Sequence, residues 1–419
     1  MGKLYVYMDQ EYLGDFVQLE SGRHSFEYAD EWLEKDTGLP LSLSMPLDVK
    51  RHEGHNVSNF FNGLLPDNDA VRKRWAKQFE VSYKNPHALL AHMGKDCPGA
   101  IQIVTDHPYT EFGYEPLTEA DVEERLRTLR EDETAWRKPS DKGQFSLAGA
   151  QRKTALFFDG SNWSVPTGRA ATTHILKPPI PGFEAQEINE CFCLWLSTSL
   201  NLITTECNVM QFGEESAIVI TRFDRHTDEN GLLRRIHMED LCQAFGVAPE
   251  LKYQSDGGPN PEHILELLES TTNPDKDKLR FMEALFFNWL VIGTDAHAKN
   301  YSLLLGHGNE VILAPLYDIS SYLPYTGDPR YENLAMKIVS KKKAGEVTGR
   351  YWKKLAIRAQ MNVNNTLSSL ESILNIFPNC VDEIQVKAIS AGMNEKFVRR
   401  LSKQLKEWHQ EASLLWKIK

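Results

Sequence analysis

The sequence predicts an α+β fold with a small amino-terminal α/β unit, a strand-rich middle segment and a mainly helical carboxy-terminal part. Short strand-like runs such as KLYVYM and AIQIV lie in the first part of the chain, and strand signals return in KTALFF, SNWSVP, THILK and AIVITRF. Helical apolar periodicity dominates after Met238. The 419 residues, 41% hydrophobic and 25% charged, have the length and apolar content for two or three packed domains.

The amino-terminal unit combines its strands with a predicted helix, DAVRKRWAKQF, and ends in a polar stretch. That stretch, TEADVEERLRTLREDETAWRKPSDKGQ, opens as an acidic helix and runs into a Lys-Pro-Ser-Asp-Lys-Gly linker. We therefore expect domains over residues 1–140, 141–225 and 226–419. In the middle domain the order is strand, strand, strand, helix, strand, with the helix from about residue 185 to about residue 200.

The carboxy-terminal part contains a nearly all-apolar segment, FMEALFFNWLVIG, which predicts a deeply buried helix. In the tail, apolar residues recur at three- and four-residue steps: Phe397, Leu401, Leu405 and Trp408. This spacing predicts a helix that packs its apolar side on the protein while its lysines and arginines face water. A second basic run is Lys341–Lys343.

Charge and composition limit the classes of function. A formal charge of −11 argues against a chain that binds nucleic acid by itself, so any DNA role is expected to be local or indirect. The six cysteines include no CxxC pair, which predicts buried reduced thiols and no metal-cysteine site. No window approaches the roughly 18 apolar residues of a membrane span, and the polar start has no signal-peptide pattern. We therefore expect a cytoplasmic protein without a membrane partner.

The chemically most informative segment is TDAHAKN at residues 294–300, followed after the strand-like VILAPLY by Asp318. Phosphoryl transfer needs a carboxylate to orient the attacking hydroxyl, and Asn and Asp oxygens to hold the Mg²⁺ ions that bridge the nucleotide phosphates. Asp295 and Asn300 are five residues apart, the interval found in the kinase catalytic loop. Asp318 lies where a metal-binding Asp after the next strand is expected.

A kinase also needs a positive group for the α- and β-phosphates, oriented by an acid on the adjacent helix. Lys177 at the end of THILK fits this role, with Glu190 on the helix EAQEINECFCLWL as its partner. A small-residue turn at residues 146–153 offers backbone N–H groups to phosphate oxygens, although a plain tight turn explains it equally well. Together these parts follow the order of a bilobal kinase, so the predicted α+β fold is bilobal and kinase-like with an extra amino-terminal unit.

Long colinear blocks resemble the HipA family of bacterial serine/threonine kinases, the toxin halves of two-gene toxin-antitoxin systems. The blocks are FFNGLLPDN, FSLAGAQRKTAL, THILKPP, TRFDRH, EDLCQAFG, KYQSDGGP, GTDAHAKNYS and PLYDIS. The resemblance spans nearly the whole chain. It implies a fold related to phosphoinositide kinases, with ATP and Mg²⁺ as cofactors.

The resemblance implies a role for each motif residue. Asp295 is the catalytic base, His297 its active-site neighbour, and Asn300 and Asp318 are the Mg²⁺ ligands. The implied ATP contacts are Ala148, Gly149, Ala150, Gln151, Arg152, Lys153, Lys177, Glu190, Thr221, Arg222, Phe223 and Tyr317. Within this set, residues 221–223 form the adenine hinge. Thr221 replaces an acidic residue of the family, so backbone contacts are the expected ones at the hinge. Arg152 stands where a Glu is common, which leaves the detailed chemistry of the phosphate-binding turn open.

Ser146 corresponds to the family's autophosphorylated loop serine. A phosphate on Ser146 adds about two negative charges beside the turn that would hold the ATP phosphates. Repulsion would favour an ejected, inactive loop. The alternative interpretation of Ser146 is an ordinary turn or cap serine.

The resemblance also implies partners: a small helix-turn-helix antitoxin, operator DNA contacted through that antitoxin, and a protein substrate. The family's best-known substrate type is an aminoacyl-tRNA synthetase, glutamyl-tRNA synthetase.

Two other functions stay open from the residues alone. A small-molecule kinase shares the Asp, Asn and metal-Asp layout but should carry an acidic insert for a cationic substrate. A corepressor that binds ATP without transferring phosphate would usually have lost one of Asp295, Asn300, Asp318 and Lys177.

Overall fold

The structure, a computed structural model, describes residues 2–36, 38–138, 140–141, 144–306, 308 and 310–418. Positions 139, 142 and 143 of the predicted linker lie outside the described residues. The chain forms two compact units that are interleaved in sequence. The first contains the chain up to Pro178 together with Met210–Lys252 and Ser302–Val311, and the second contains Pro179–Val209, Tyr253–Tyr301 and residues 312–418.

The described residues form the following strands and helices. The strands are β1 (Gly2–Met8), β2 (Glu11–Gln18), β3 (His24–Tyr28), β4 (Arg51–Glu53), β5 (Ile101–Val104), β6 (Phe112–Leu117), β7 (Thr154–Phe158), β8 (Trp163–Gly168), β9 (His174–Lys177), β10 (Cys207–Phe212), β11 (Glu215–Thr221), β12 (Arg225–Thr227), β13 (Leu233–Arg235), β14 (His237–Asp240), β15 (Ser302–Gly306), β16 (Glu310–Leu313), β17 (Asn333–Ile338) and β18 (Lys341–Lys343). The helices are α1 (Asp30–Leu33), α2 (His55–Gly63), α3 (Asp69–Phe79), α4 (Pro86–Met93), α5 (Glu119–Glu131), α6 (Gln186–Ser199), α7 (Leu241–Ala244), α8 (Pro261–Leu267), α9 (Pro274–Val291), α10 (Gly349–Arg358), α11 (Val363–Ser390) and α12 (Glu395–Lys417).

The first unit begins with a five-stranded antiparallel sheet of order β4-β3-β2-β1-β5. Helices α2 and α4 cover one face of it, and the ring of Phe16 stacks on Phe61 with centroids 3.7 Å apart. Asn68 caps the start of helix α3, and its side chain accepts a hydrogen bond from the Ala70 N–H. The predicted helix DAVRKRWAKQF is confirmed over its full length, Asp69–Phe79.

A six-stranded sheet of order β10-β11-β9-β7-β8-β6 lies mostly in the first unit. Its strands β7, β8, β9 and β11 match four predicted runs, whereas β10 was missed because CNVMQF has no clear apolar alternation. Helix α5 opens with a capping box between Thr118 and Asp121 and packs Val122 and Leu126 into the core of this sheet. Two smaller sheets, β12-β13 and β14-β15-β16, follow, and the chain enters the second unit within β16.

The second unit is mainly helical, as predicted. The apolar segment of α9 is buried on nearly all sides. Trp289 donates its indole N–H to the Ala344 carbonyl and accepts a bond at its own carbonyl from the Trp408 indole, both at 3.0 Å. The predicted apolar side of the tail helix α12 is confirmed, because all four of its predicted residues are buried: Phe397, Leu401, Leu405 and Trp408.

The cysteines lie in the core. All six are buried and unbridged, as the scattered spacing predicted. The Cys191 and Cys207 sulfur atoms, on α6 and β10, are 3.6 Å apart. In the described part of the chain, every helix is too short or too polar to span a bilayer.

Candidate active site

The segment after helix α9 carries the predicted catalytic residues. Ile292 ends the helix in a left-handed conformation with φ of 52°, which β-branched residues rarely adopt. The Gly293 N–H then donates to the Asn288 carbonyl at 2.7 Å, and a Cβ on Gly293 would lie 2.2 Å from the Asn288 side-chain oxygen. This tight turn leads the chain directly to Asp295. We call residues 293–300 the catalytic loop.

The Asp295 carboxylate is exposed to solvent, whereas the Asp295 backbone is fixed by hydrogen bonds. The side chain is 67% exposed and accepts a hydrogen bond from the Tyr253 hydroxyl. The Asp295 carbonyl accepts bonds from the His297 N–H and from the side-chain amide of Asn300, both at 2.8 Å. The five-residue interval between Asp295 and Asn300 therefore corresponds to a direct bond that closes the loop.

His297 lies beside the Asp295 carboxylate. Its imidazole is almost fully buried, with Nε2 4.0 Å from the nearer Asp295 oxygen. The Tyr253 ring packs edge-on against this imidazole, with ring centroids 4.9 Å apart. His297 and Tyr253 together fix the side on which the carboxylate is presented.

Asn300 and Asp318 are the predicted metal ligands. Asn300 ends the short turn Ala298–Asn300 and is buried. Asp318 has a φ of 56°, a region that non-glycine residues adopt uncommonly and that is enriched at functional sites. The hydroxyl of the neighbouring Tyr317 donates to the Lys299 carbonyl at 2.8 Å. This bond ties the Asp318 segment to the catalytic loop.

The donor set of Asn300 and Asp318 fits Mg²⁺. Amide and carboxylate oxygens are hard ligands, and Mg²⁺ commonly takes one or two protein carboxylates and completes its shell with waters and substrate phosphates. Within the described ranges there is no group of three or more His, Cys, Asp or Glu that would hold a metal ion. These two oxygens therefore suit a metal held jointly with a nucleotide.

Lys177 and Glu190 are each buried in their own unit. Lys177 ends β9, pairs with Ile218 of β11 and is 5% exposed. Glu190 lies in α6 and is fully buried. The residue before it, Asn189, exchanges two bonds with the Ser321 backbone, at 2.7 and 3.0 Å, and so joins α6 to the segment that follows Asp318. Buried charges require specific partners, so neither Lys177 nor Glu190 is an ordinary surface residue.

Residues 148–153, which we call the phosphate loop, turn at a glycine with φ of 95°. The Gly149 carbonyl accepts the Asp67 N–H at 3.0 Å, and the Ala148 carbonyl accepts the Lys153 ammonium at 2.6 Å. In residues 148–151, the backbone N–H groups donate to no group among the described residues. Consecutive free N–H groups in a turn form an anion-binding concavity.

Arg152 uses its side chain elsewhere. Its guanidinium donates to the carbonyls of Arg130 at 2.7 Å and Leu129 at 3.3 Å, in the last turn of α5. Carbonyls at a helix end lack partners within the helix and attract cations. Arg152 also lies 3.6 Å from Glu133. Of the loop residues expected to contact ATP, Arg152 therefore has its side chain committed to α5.

The predicted hinge, residues 221–223, is anchored by buried charges. Arg222 is 4% exposed, and its guanidinium contacts the Asp224 carboxylate at 2.7 Å and Asp96 at 3.4 Å. Its N–H donates to the Thr173 carbonyl at 2.9 Å. The side chain and the N–H of Arg222 are thus both used inside the first unit.

Asp96 is the centre of this charge cluster. Its carboxylate also accepts bonds from Arg225 at 2.9 Å and Arg235 at 3.1 Å, and its carbonyl accepts the Ser146 N–H at 3.0 Å. Burial would raise the pKa of Asp96, but the guanidiniums of Arg225, Arg222 and Arg235 outweigh burial and hold the pKa far below its ordinary value. One residue therefore contacts both the hinge segment and the segment that precedes the phosphate loop.

Ser146 is fully buried in this arrangement. Its hydroxyl donates to the Leu64 carbonyl at 2.7 Å. The sequence predicted Ser146 as a modification site, and the structure places that hydroxyl in the interior of the first unit.

Sequence reasoning missed Tyr253 and Asp96. Tyr253 lies in KYQSDGGP, a block noted for its resemblance, but 42 residues separate it from Asp295. Asp96 and Arg222 are 126 residues apart. No local spacing rule connects such pairs. The one available signal was in TRFDRH, where Asp224 follows Arg222 by two positions and so gives it an acidic neighbour.

The two units and the catalytic loop define a protein of the kinase-like α+β class. The family model described as HipA-like C-terminal domain matches residues 145–387, and the HipA N-terminal domain model matches residues 4–104. The chain belongs to the HipA family. The resemblance predicted from the sequence blocks is confirmed.

Individual relatives agree with this assignment. The protein "Putative kinase Y4mE" of Sinorhizobium fredii is 34% identical over 369 residues, which cover 85% of each chain. "Serine/threonine-protein kinase toxin HipA" of Shewanella oneidensis is 30% identical over 332 residues, 74% of this chain and 72% of that protein. A solved structure of Shewanella oneidensis HipA with HipB and its operator DNA matches with a TM-score of 0.85 and 24% identity, covering 99% of this chain and 100% of that chain. This likeness confirms the predicted fold class.

Proposed function

We propose that this chain is an ATP- and Mg²⁺-dependent serine/threonine protein kinase that acts as the toxin of a toxin-antitoxin pair. The observation that carries the proposal is the exposed Asp295 carboxylate, aimed by Tyr253 and braced through its backbone by Asn300. A general base must reach the hydroxyl that it deprotonates. A buried or mobile carboxylate would not meet this requirement.

In the proposed reaction, Asp295 orients the substrate hydroxyl and accepts its proton. The hydroxyl oxygen forms a bond to the γ-phosphorus of ATP, the bond from that phosphorus to the β-phosphate oxygen breaks, and ADP leaves. Asn300 and Asp318 would hold Mg²⁺, which neutralises phosphate charge when bound. Lys177, oriented by Glu190, would contact the α- and β-phosphates.

The nucleotide would be bound by the phosphate loop and by the hinge at residues 221–223. The free N–H groups of residues 148–151 support the phosphate contact. Tyr317, bonded to the catalytic loop, would lie next to the metal ligand Asp318. His297 would support Asp295 as its buried neighbour.

The proposed partners follow from the family. HipB and operator DNA accompany the Shewanella oneidensis HipA in its solved structure. By analogy, we propose a small helix-turn-helix antitoxin for this chain, contact with operator DNA through that antitoxin, and a cytoplasmic protein substrate. An aminoacyl-tRNA synthetase is the substrate type to test first. Domain boundaries near residues 140 and 225 remain part of the proposal.

Incubation of the purified chain with γ-labelled ATP and Mg²⁺, followed by a cell lysate, tests the proposal. A protein kinase labels itself or discrete protein bands, a small-molecule kinase labels only the low-molecular-weight fraction, and a corepressor binds ATP without transfer. The matched control is the Asp295→Asn variant, which must label protein far more slowly than the wild type. Absence of any labelled protein with folded, ATP-binding wild-type chain would overturn the proposal.

A further inference from the structure

A strongly basic segment lies in the second unit of an acidic protein. Between Asp328 and Lys354 the sequence has eight Lys or Arg and three Asp or Glu, whereas the whole chain carries a net charge of −11. The segment covers the hairpin β17-β18 and the start of α10. Its composition is therefore opposite in sign to that of the chain as a whole.

The fold brings these cations together. Strands β17 and β18 pair antiparallel, and the Ala344 N–H donates to the Glu332 carbonyl at 2.9 Å. Arg330 packs so closely against Gly345 that a Cβ at Gly345 would lie 2.8 Å from the Arg330 Cβ. The Lys341 ammonium lies 5.8 Å from the Tyr351 ring centroid, which joins the hairpin to α10.

An exposed aromatic ring lies among these cations. Tyr331 is 66% exposed, so its ring is available to a ligand. The Lys343 ammonium is 5.7 Å and the Arg330 guanidinium 6.0 Å from its centroid. A second ring, Tyr351, is half-buried, and the Arg350 guanidinium lies 4.9 Å from it. We call this set, with Lys342, the Tyr331 surface.

Most of the positive charge on this surface is not neutralised by the protein. Lys341 pairs with Glu346 at 3.1 Å and Arg330 pairs with Asp328 at 2.8 Å, and Glu411 also faces Arg330. Five further cations form no ion pair with the described residues: Lys342, Lys343, Arg350, Lys353 and Lys354. A polyanion on this surface would therefore meet unpaired cations.

We propose that the Tyr331 surface binds single-stranded nucleic acid. Unpaired cations match backbone phosphates, and an exposed ring flanked by cations is a platform on which an unpaired base can stack. Bases in a duplex are already stacked and are not available to such a ring. The combination favours a single strand over a duplex, and it favours no particular sequence because every base has a π-face.

Fluorescence anisotropy with a labelled single-stranded RNA of roughly 12 nucleotides tests this proposal without ATP, so its outcome is independent of kinase activity. Changing Lys342, Lys343 and Arg350 together to Gln should lower the affinity at least about tenfold and reduce the log–log salt slope by about 2. The matched control makes the same charge change on the exposed side of α12, with Lys396→Gln, Arg399→Gln and Lys403→Gln. This control should bind like the wild type.

Two variants test the stacking platform separately from the charge. Tyr331→Ala should weaken binding about tenfold with an unchanged salt slope, whereas Tyr331→Phe, which keeps the ring, should bind like the wild type. Three results would overturn the proposal. The first is that the wild type does not bind the single strand, and the second is that the α12 control loses as much affinity as the Tyr331-surface variant. The third is that the wild type binds duplex DNA of the same sequence equally well and that Tyr331→Ala leaves single-strand affinity unchanged. Preference for an acidic peptide or anionic vesicles over RNA would overturn it as well.

Discussion

Asp295 combines an exposed carboxylate with a rigid backbone, and this combination separates it from the many acids on the surface. Asp295→Asn keeps the size of the side chain and a hydrogen-bond acceptor for Tyr253 but removes the proton acceptor. We expect the rate of phosphoryl transfer to fall by about 10²–10⁴-fold, with the unfolding transition unchanged. Transfer of label from ATP, with circular dichroism as the folding control, measures both. Wild-type rates in a folded variant would show that Asp295 is not the base.

Asp318 tests the metal ligands. Asp318→Ala removes a hard oxygen, so we expect Mg²⁺-dependent ATP affinity to fall roughly tenfold or more. Calorimetry with and without Mg²⁺ measures the change, and without Mg²⁺ the variant and the wild type should bind ATP equally. An unchanged affinity that still depends on Mg²⁺ would assign the metal to another residue.

Glu239 gives a prediction for pH. Burial raises the pKa of this carboxyl from 4.5 to about 8, against the opposing bonds from Ser42 at 2.5 Å and from the Leu43 N–H at 2.9 Å. Between these two pKa values the folded state keeps a proton that the unfolded state has lost. Stability from this group is therefore complete below the lower value and falls as pH rises towards about 8. Glu239→Gln mimics the protonated form, so its free energy of unfolding should decline less over that range.

Urea unfolding at several pH values between about 5 and about 8 measures this slope. The control is Glu20→Gln, which changes an exposed carboxyl. A wild-type slope in Glu239→Gln would show that Glu239 does not hold its proton in the folded state.

At the scale of elements, the Asp96 cluster joins segments that are distant in sequence. Asp96→Asn would leave Arg222 and Arg225 sharing Asp224 and would remove the carboxylate that Arg235 contacts, and breaking a buried ion pair on one side costs about 3–5 kcal/mol. We expect this loss in urea unfolding. The control is Asp382→Asn, which breaks the exposed pair with Lys406 and should cost below about 1 kcal/mol. Equal effects in the two variants would mean that the cluster contributes no more than a surface pair.

Elements with a strong local pattern could be predicted from the sequence. Helices α3 and α6, the buried α9 and the apolar side of α12 follow from apolar periodicity, and Lys177 does end a strand as expected. Strand β10 could not be predicted, because it is held by pairing with β11 rather than by its own alternation. The roles of Arg152 and Arg222 side chains depend on carbonyls and carboxylates elsewhere in the chain, and local patterns do not report such contacts.

At the scale of the whole molecule, the resemblance to one family was predictable because its blocks run through both units. The interleaving of the units was not, since it depends on pairings between distant segments such as β14 and β15. Catalytic-loop spacing could be predicted because it is local. Tyr253, which aims Asp295, lies outside that spacing.

The proposed switch at Ser146 joins local burial to the behaviour of the whole molecule. The Ser146 hydroxyl is buried against the Leu64 carbonyl, an acceptor that would repel phosphate oxygens. The phosphorylated serine therefore cannot occupy this position, and the segment must leave it before and after transfer. Because this segment is continuous with the phosphate loop, which would hold ATP during transfer, we expect a second molecule to phosphorylate Ser146 and ATP to bind more weakly afterwards.

Mixing an active Ser146→Ala enzyme with the inactive Asp295→Asn form tests the route. Mass spectrometry should find phosphate on Ser146 of the inactive partner, and none when the inactive form is incubated with ATP alone. Calorimetry on the phosphorylated chain should then show ATP affinity lowered by about tenfold or more, because the added charge of about −2 disfavours the loop conformation that offers its N–H groups to phosphate. An inactive partner that never acquires phosphate would contradict the intermolecular route. ATP binding as tight as that of the unmodified chain would contradict the switch itself, even if Ser146 is phosphorylated.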